Sequence, residues 1–191
     1  MSLVARDTIA VLDFGGQYAH LIAKRVRHLG VYARVFSPMT PKAELADAKG
    51  LILSGGPQSV YGEDAVPFNK EIAQLDKPLL GLCYGHQLLA LLLGGTVEDL
   101  GRGEYGRTQL SRVAGAQSPL LAGVPEALEV WMSHGDTVRQ APPGFQVLAT
   151  TPRCPVAAMA HESRPVFGLQ FHPEVNDTRF GREMLANFVQ A

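Results

Sequence analysis

Residues 8–14, Thr-Ile-Ala-Val-Leu-Asp-Phe, are apolar at most positions and stop at Gly15-Gly16. A short apolar run bounded by glycine reads as a buried strand. Beyond it, Tyr18, Leu21, Ile22, Val26 and Leu29 recur at helical spacing, and Gly30 stands where a helix-ending glycine belongs. Residues 31–36 alternate, with Val31, Ala33 and Val35 on one face, as a strand does. Thr40-Pro41 predicts an N-cap with proline at the first helical position, opening a short helix. Residues 50–53 read as a third strand, ended by Ser54-Gly55-Gly56-Pro57, and residues 66–75 as a helix. Residues 78–82 form a fourth, short strand. It runs directly into residues 85–93, a helix apolar on nearly every face and closed by Gly94-Gly95.

The second half changes character. Residues 109–113, 128–132, 147–150, 156–160 and 166–171 are strand-like with few helices between them, and they either extend the sheet or form an antiparallel lobe. A last helix starts near Thr178 and buries Phe180, Met184, Leu185 and Phe188. The fold class is therefore α/β: a mostly parallel open central sheet flanked by helices, with additional antiparallel strands in the second half. No internal repeat, low-complexity stretch or linker interrupts the chain, so residues 1–191 read as a single domain.

Composition narrows the function classes. Seventeen basic side chains nearly balance eighteen acidic ones and no basic block stands out, which argues against nucleic acid as a partner. The longest apolar run, residues 88–93, is far too short to span a bilayer, so no membrane role is expected. The start, Met1-Ser2-Leu3-Val4-Ala5-Arg6-Asp7, lacks the apolar core of a signal peptide. With only Cys83 and Cys154 and no Cys-x-x-Cys, neither a disulfide framework nor a four-ligand zinc site is supported. The expected compartment is the reducing cytoplasm.

The chemistry concentrates at two strand ends. Gly81-Leu82-Cys83-Tyr84-Gly85 joins the fourth strand to the buried helix. Glycines two residues either side suit a sharp turn that pushes the middle side chain outward, the logic of the Gly-x-Ser-x-Gly elbow with cysteine in place of serine. A helix N-terminus there favours a thiolate, and the free N–H of Tyr84 can donate to an oxyanion. His172-Pro173-Glu174 follows the last strand. Residues two apart on an extended chain point the same way, so His172 and Glu174 can form a base and its orienting carboxylate for Cys83.

Other patterns carry less. In Ser133-His134-Gly135-Asp136 the serine and histidine are neighbours and would face opposite sides of a strand, so a binding loop is the better reading than a triad. Gly101-Arg102-Gly103-Glu104-Tyr105-Gly106 matches Gly-x-Gly-x-x-Gly but lacks the strand–loop–helix context of a dinucleotide site. The turn at Ser54-Gly55-Gly56 can still offer backbone N–H groups to an anion. His20, His28, His86 and His161 have no metal-ligand spacing, and no metal is expected.

Together, Ser54-Gly55-Gly56-Pro57, Gly81-Leu82-Cys83-Tyr84-Gly85-His86-Gln87 and Gln170-Phe171-His172-Pro173-Glu174-Val175 resemble class I glutamine amidotransferases over nearly the whole chain. Asp13-Phe14-Gly15-Gly16-Gln17-Tyr18, Ser59-Val60-Tyr61, Gly103-Glu104-Tyr105-Gly106 and Trp131-Met132-Ser133-His134-Gly135-Asp136 resemble the glutaminase part of GMP synthetases within that family. The resemblance implies a flavodoxin-like fold and glutamine hydrolysis through a glutamyl thioester on Cys83, with His172 and Glu174 completing the triad. It implies an oxyanion hole at the N–H groups of Gly56 and Tyr84, and substrate contacts from Gln87, Gln58, Ser133 and Gly135. It implies no cofactor in this domain, with ATP and magnesium at a separate ATP-pyrophosphatase synthetase domain or subunit that aminates XMP to GMP and is not expected within these residues. Asp177 departs from the family, which often has histidine there. The alternatives are the glutaminase component of another amidotransferase and a non-catalytic binding module on the same fold.

Overall fold

The computed structural model describes residues 8–63 and 65–191. Residues 1–7, where no signal peptide is expected, lie outside the described residues. Among the described residues nine strands form one sheet: β1 (Thr8–Leu12), β2 (Tyr32–Phe36), β3 (Ala48–Leu53), β4 (Leu79–Leu82), β5 (Thr96–Arg112), β6 (Ala127–Gln140), β7 (Phe145–Thr150), β8 (Ala158–His161) and β9 (Val166–Leu169). Three α-helices accompany them: α1 (Ala19–His28), α2 (Tyr84–Leu92) and α3 (Gly181–Gln190). The strand order is β2-β1-β3-β4-β9-β8-β7-β5-β6. The pairs from β2 through β9 are parallel. From β9 to β6 every pair is antiparallel. Of the two arrangements the sequence allowed, the late strands extend the sheet, β9 completing its parallel half and β8, β7, β5 and β6 continuing it antiparallel.

Alternation along β1 explains how the sheet is covered. Ile9 and Val11 face a core that includes Ile22 and Val26 of α1 and Met184, Leu185 and Phe188 of α3. Ala10 and Leu12 face the other side, with Leu88 and Leu89 of α2. Both faces are thus dry, and strands in that position must be apolar at consecutive residues, as β4 and β9 are. After β1 the chain goes to β2 on one side and then to β3 on the other, which opens a crevice beyond the carboxyl ends of β1 and β3. Glycine pairs follow both strands, and Gly16 N donates to Gly55 O at 3.2 Å. The Ser54 hydroxyl locks the two loops together, accepting from Phe14 N at 3.0 Å.

Four local expectations give way. Residues 66–75 hold only a 3-10 helix, Lys70–Gln74. Pro67 has no N–H, Val66 N donates to the Tyr84 hydroxyl, and Asn69 caps the turn by accepting from Glu71 N. After Thr40 the helix is again a 3-10 turn, Lys42–Leu45, with Pro41 at the N-cap and no side-chain capping bond. Phe180 does not join the buried face of α3. It sits at the helix N-cap with φ 59°, a left-handed backbone that the helix cannot include, and is 39% exposed. Finally, β5 and β6 are far longer than their apolar cores and pair with each other along most of their length. Among the described residues, no helix is long and apolar enough to cross a membrane.

Candidate active site

Cys83 lies between β4 and α2 with φ 52° and ψ −106°. A side-chain-bearing residue there costs about 1–3 kcal/mol and persists only when its surroundings over-determine it. They do. Cys83 N donates to Leu169 O at 2.8 Å, Gly85 N to Ser54 O at 3.1 Å, and Gln87 N to Cys83 O at 3.1 Å. The flanking glycines are required by close approach. A Cβ on Gly81 would lie 2.6 Å from the Gly85 carbonyl carbon, and one on Gly85 would lie 2.6 Å from Leu53 Cβ. The sharpness of the turn, the expected reason for these glycines, is not what requires them; their φ values are not positive, and the reason is that strand and helix touch.

The His172 ring is buried, with Nδ1 donating to Glu174 Oε1 at 2.7 Å. That bond leaves Nε2 free to serve the Cys83 thiol, which lies close enough to act on the charge of the ring. Burial pulls the His172 pKa down, but the bonds to Cys83 and Glu174 and the attraction of both groups outweigh it and push it up to about 11. Both neighbours thus favour a proton on the ring. Its backbone is fixed independently: His172 N donates to Trp131 O at 3.1 Å, and the Thr178 hydroxyl donates to His172 O at 2.6 Å. Glu174 is fully buried, and its backbone carbonyl accepts from Arg25 Nε at 2.8 Å. Tyr18 packs edge-on against the His172 ring at 5.1 Å.

Cys83 and His172 open into a cavity of about 600 Å³. Gly56, Gln58, Gln87, Ser133 and Gly135 also line it, so seven of the nine predicted site residues share one wall system. Glu174 stands behind His172. Tyr84 is buried, with its phenol turned away to accept from Val66 N, its own pKa raised by that burial. As the first residue of α2, its N–H has no partner inside the helix. Gln87 is already engaged, its amide donating to Asp136 O at 2.7 Å and to Gln170 Oε1 at 3.3 Å. Ser133 contributes a carbonyl 3.5 Å from Cys83 Sγ. Among the described residues, Asp136 is the one acidic side chain lining the cavity, and no lysine or arginine does. The arrangement can generate a nucleophilic sulfur, hold a proton beside it, and receive a neutral or zwitterionic substrate.

The model of the glutamine amidotransferase class-I family matches residues 10–191. This chain belongs to the class-I glutamine amidotransferases. It is 48% identical over 188 residues to a protein named GMP synthase (glutamine-hydrolyzing) from Clostridium novyi, covering 97% of this chain and 36% of that one. A protein of the same name from Thermobifida fusca is also 48% identical, over 185 residues, with 96% and 35% covered. The amidotransferase chain thus spans about a third of the length of these relatives. Among solved structures, a putative GMP synthase subunit from Thermoplasma acidophilum superimposes with a TM-score of 0.89 at 31% identity, covering 97% of this chain and 93% of that one. A glutamine amidotransferase from Thermotoga maritima shares the fold, with a TM-score of 0.78 at 19% identity.

Several residues that shape this amidotransferase's site are not singled out as site residues by the sequence. Thr178 holds both His172 and Trp131, since it also accepts from Trp131 N at 3.0 Å. Gln170 and Tyr18 touch Gln87 and His172. Tyr18 and Gln170 stand in the sequence patterns only as a helix position and as members of longer motifs, and nothing there marks these contacts. Asp177, where the sequence departs from the family, pairs with Arg107 of β5 at 2.9 Å on the surface, away from the cavity lining. Among the described residues, no cluster of three or more His, Cys, Asp or Glu is placed to hold a metal ion.

Proposed function

We propose that this chain hydrolyses glutamine to glutamate and ammonia through Cys83, His172 and Glu174. The observation that carries the reading is the Cys83–His172–Glu174 chain at a strained strand–helix turn, open to a cavity floored by backbone. With the shared proton on His172, Cys83 Sγ attacks the side-chain carboxamide carbon. The oxygen takes up negative charge facing the N–H groups of Gly56 and Tyr84. His172 passes its proton to the departing nitrogen, the C–N bond breaks, and ammonia leaves a glutamyl thioester on Cys83. Water, deprotonated by His172, then cleaves the C–S bond, and glutamate and the starting pair are restored. Gln87, Gln58, Ser133 and Gly135 hold the amino-acid end of the substrate.

The ammonia is destined for a synthetase that aminates XMP to GMP with ATP and magnesium. Two matches support this finer reading: the curated relatives named GMP synthase, and a structural neighbour of similar length described as a putative GMP synthase subunit. Incubation with a glutamine-mimicking diazoketone tests the glutaminase part. One adduct on Cys83, blocked by excess glutamine, is expected, and glutamine-insensitive labelling would remove glutamine as the substrate. Mixing with a GMP-synthetase ATP-pyrophosphatase, XMP and ATP tests the acceptor. GMP formation from glutamine should vanish in Cys83→Ala and persist with ammonium salts.

A further inference from the structure

The two motifs without a catalytic role in the sequence, Gly-Arg-Gly-Glu-Tyr-Gly on β5 and Ser-His-Gly-Asp on β6, meet across the β5–β6 ladder, with Glu104 opposite His134 and Tyr105 opposite Ser133. The side chains of His134 and Glu104 are 1% and 7% exposed. Taking two ionisable groups out of water is a poor source of stability, so their presence side by side in the interior needs another account.

Their bonding supplies it. His134 Nδ1 faces the Asp136 carbonyl at 2.7 Å, and Nε2 faces Glu104 Oε2 at 3.2 Å. A carbonyl can only accept, so Nδ1 carries a proton, and Nε2 is the nitrogen turned to the Glu104 carboxyl group. The Thr151 hydroxyl donates to Glu104 Oε1 and Oε2 at 2.9 and 3.1 Å and holds the carboxylate in place. The ladder is interrupted at this point: Asp99 pairs with Asp136 and Glu104 with His134, leaving residues 100–103 against Gly135 alone. The His134–Asp136 bond therefore braces the strand where regular pairing fails.

We propose that the Glu104–His134 pair is a positioning device for the substrate subsite, acting through the Asp136 carbonyl. That carbonyl also receives the Gln87 amide at 2.7 Å, so it fixes the side chain one helical turn beyond the nucleophile. The Asp136 carboxylate accepts from Ser59 at 2.6 Å and Tyr61 at 3.1 Å, which ties down the loop that carries Gln58. Both walls of the subsite thus hang on the residue that His134 holds. The triad hangs mainly elsewhere: Cys83 N on Leu169 O, His172 on Trp131 and Thr178, and Glu174 on Arg25, with the 3.5 Å contact of Cys83 Sγ to the Ser133 carbonyl the one link among these to residues 133–136 of β6. The pair therefore governs substrate grip and leaves the thiol–imidazole chemistry intact. This rests on the glutaminase reading.

Calorimetric titration of glutamine into Cys83→Ala, alone and combined with changes at residue 104, tests it. Glu104→Leu keeps the bulk and removes both bonds, and glutamine binding should weaken by about tenfold or more, the size of a lost buried hydrogen bond. Glu104→Gln should stay within about threefold of the parent, because its amide can donate to Nε2 while its oxygen accepts from Thr151. With Cys83 restored, Glu104→Leu should raise KM at nearly constant kcat. If Glu104→Leu does not fold, Thr151→Val, which removes one hydroxyl, should weaken binding by roughly threefold or more. Equal binding by parent and variant, or a loss of kcat at unchanged KM, overturns the inference. A Cys83→Ala parent that gives no heat with glutamine brings down the glutaminase reading itself.

Discussion

Gly85→Ala isolates the contact that aims the nucleophile. The added Cβ would lie 2.6 Å from Leu53 Cβ and 2.8 Å from the Leu53 carbonyl carbon, and would also meet the Leu53 oxygen. These are backbone and near-backbone atoms of β3, and none is the far end of a flexible chain. Restoring an ordinary 3.4 Å contact from 2.6 Å moves the first turn of α2 by about 0.8 Å. Overpacking of this kind costs about 1–3 kcal/mol. Alanine returns about 1 kcal/mol over glycine in a helix. The net loss is about 1 kcal/mol, or a Tm lower by about 2–4 °C in a chain of this size. The chemical effect is much larger, because the shift stretches the Gly85 N to Ser54 O bond and carries Cys83 and the Tyr84 N–H with it. A misplacement near 1 Å costs on the order of 100-fold in rate. The assay is the rate of Cys83 labelling by the diazoketone, beside a thermal melt. Gly115→Ala is the control: Gly115 has φ 79° with nothing within 4 Å of an added Cβ, so it should lose about 1–2 kcal/mol by strain alone and keep its labelling rate. Wild-type labelling by Gly85→Ala, or an equal rate loss in Gly115→Ala, would refute the reasoning.

Glu174→Gln removes the charge that orients and holds the proton on His172 at 2.7 Å, and glutamine turnover should fall by roughly 100-fold or more with little change in KM, measured by ammonia release. Cys154 is fully buried and its thiol is pushed up to about 12 by that burial, so a haloacetamide at neutral pH should modify Cys83 alone in peptide mapping, and a Cys154 adduct on folded protein would contradict the structure. His86 is fully buried, its pKa held down at about 3 by desolvation against an ordinary 6.5. The unfolded chain takes up a proton below that ordinary value while the folded chain does not, so stability present above it is lost as pH falls toward 3. Urea unfolding at pH 7 and pH 5 should show wild type losing about 2 kcal/mol more than His86→Gln over that interval, and equal losses would refute the assignment.

The elements that position the nucleophile were legible because their determinants are local. The Cys83 turn needs a strand, a helix and two small residues within five positions, and His172 and Glu174 need only an extended chain between them. The apolar runs of β1, β3, β4 and β9 are continuous because both faces of that half-sheet are covered, and continuity is visible without knowing by what. Phe180, the residues 66–75 and the lengths of β5 and β6 were decided elsewhere. Phe180 takes a left-handed backbone, the Tyr84 hydroxyl takes the Val66 N–H, and the β5–β6 ladder runs through glycines and charges that no hydrophobic period marks. The pairing of Glu104 with His134 belongs to the same class. Each residue by itself is an ordinary polar position in a chain, and only the register that sets thirty residues of separation face to face turns them into a buried, hydrogen-bonded brace. A sequence records what a residue can do alone and with its near neighbours; which distant partner meets it depends on the free energy of closing and burying the whole sheet.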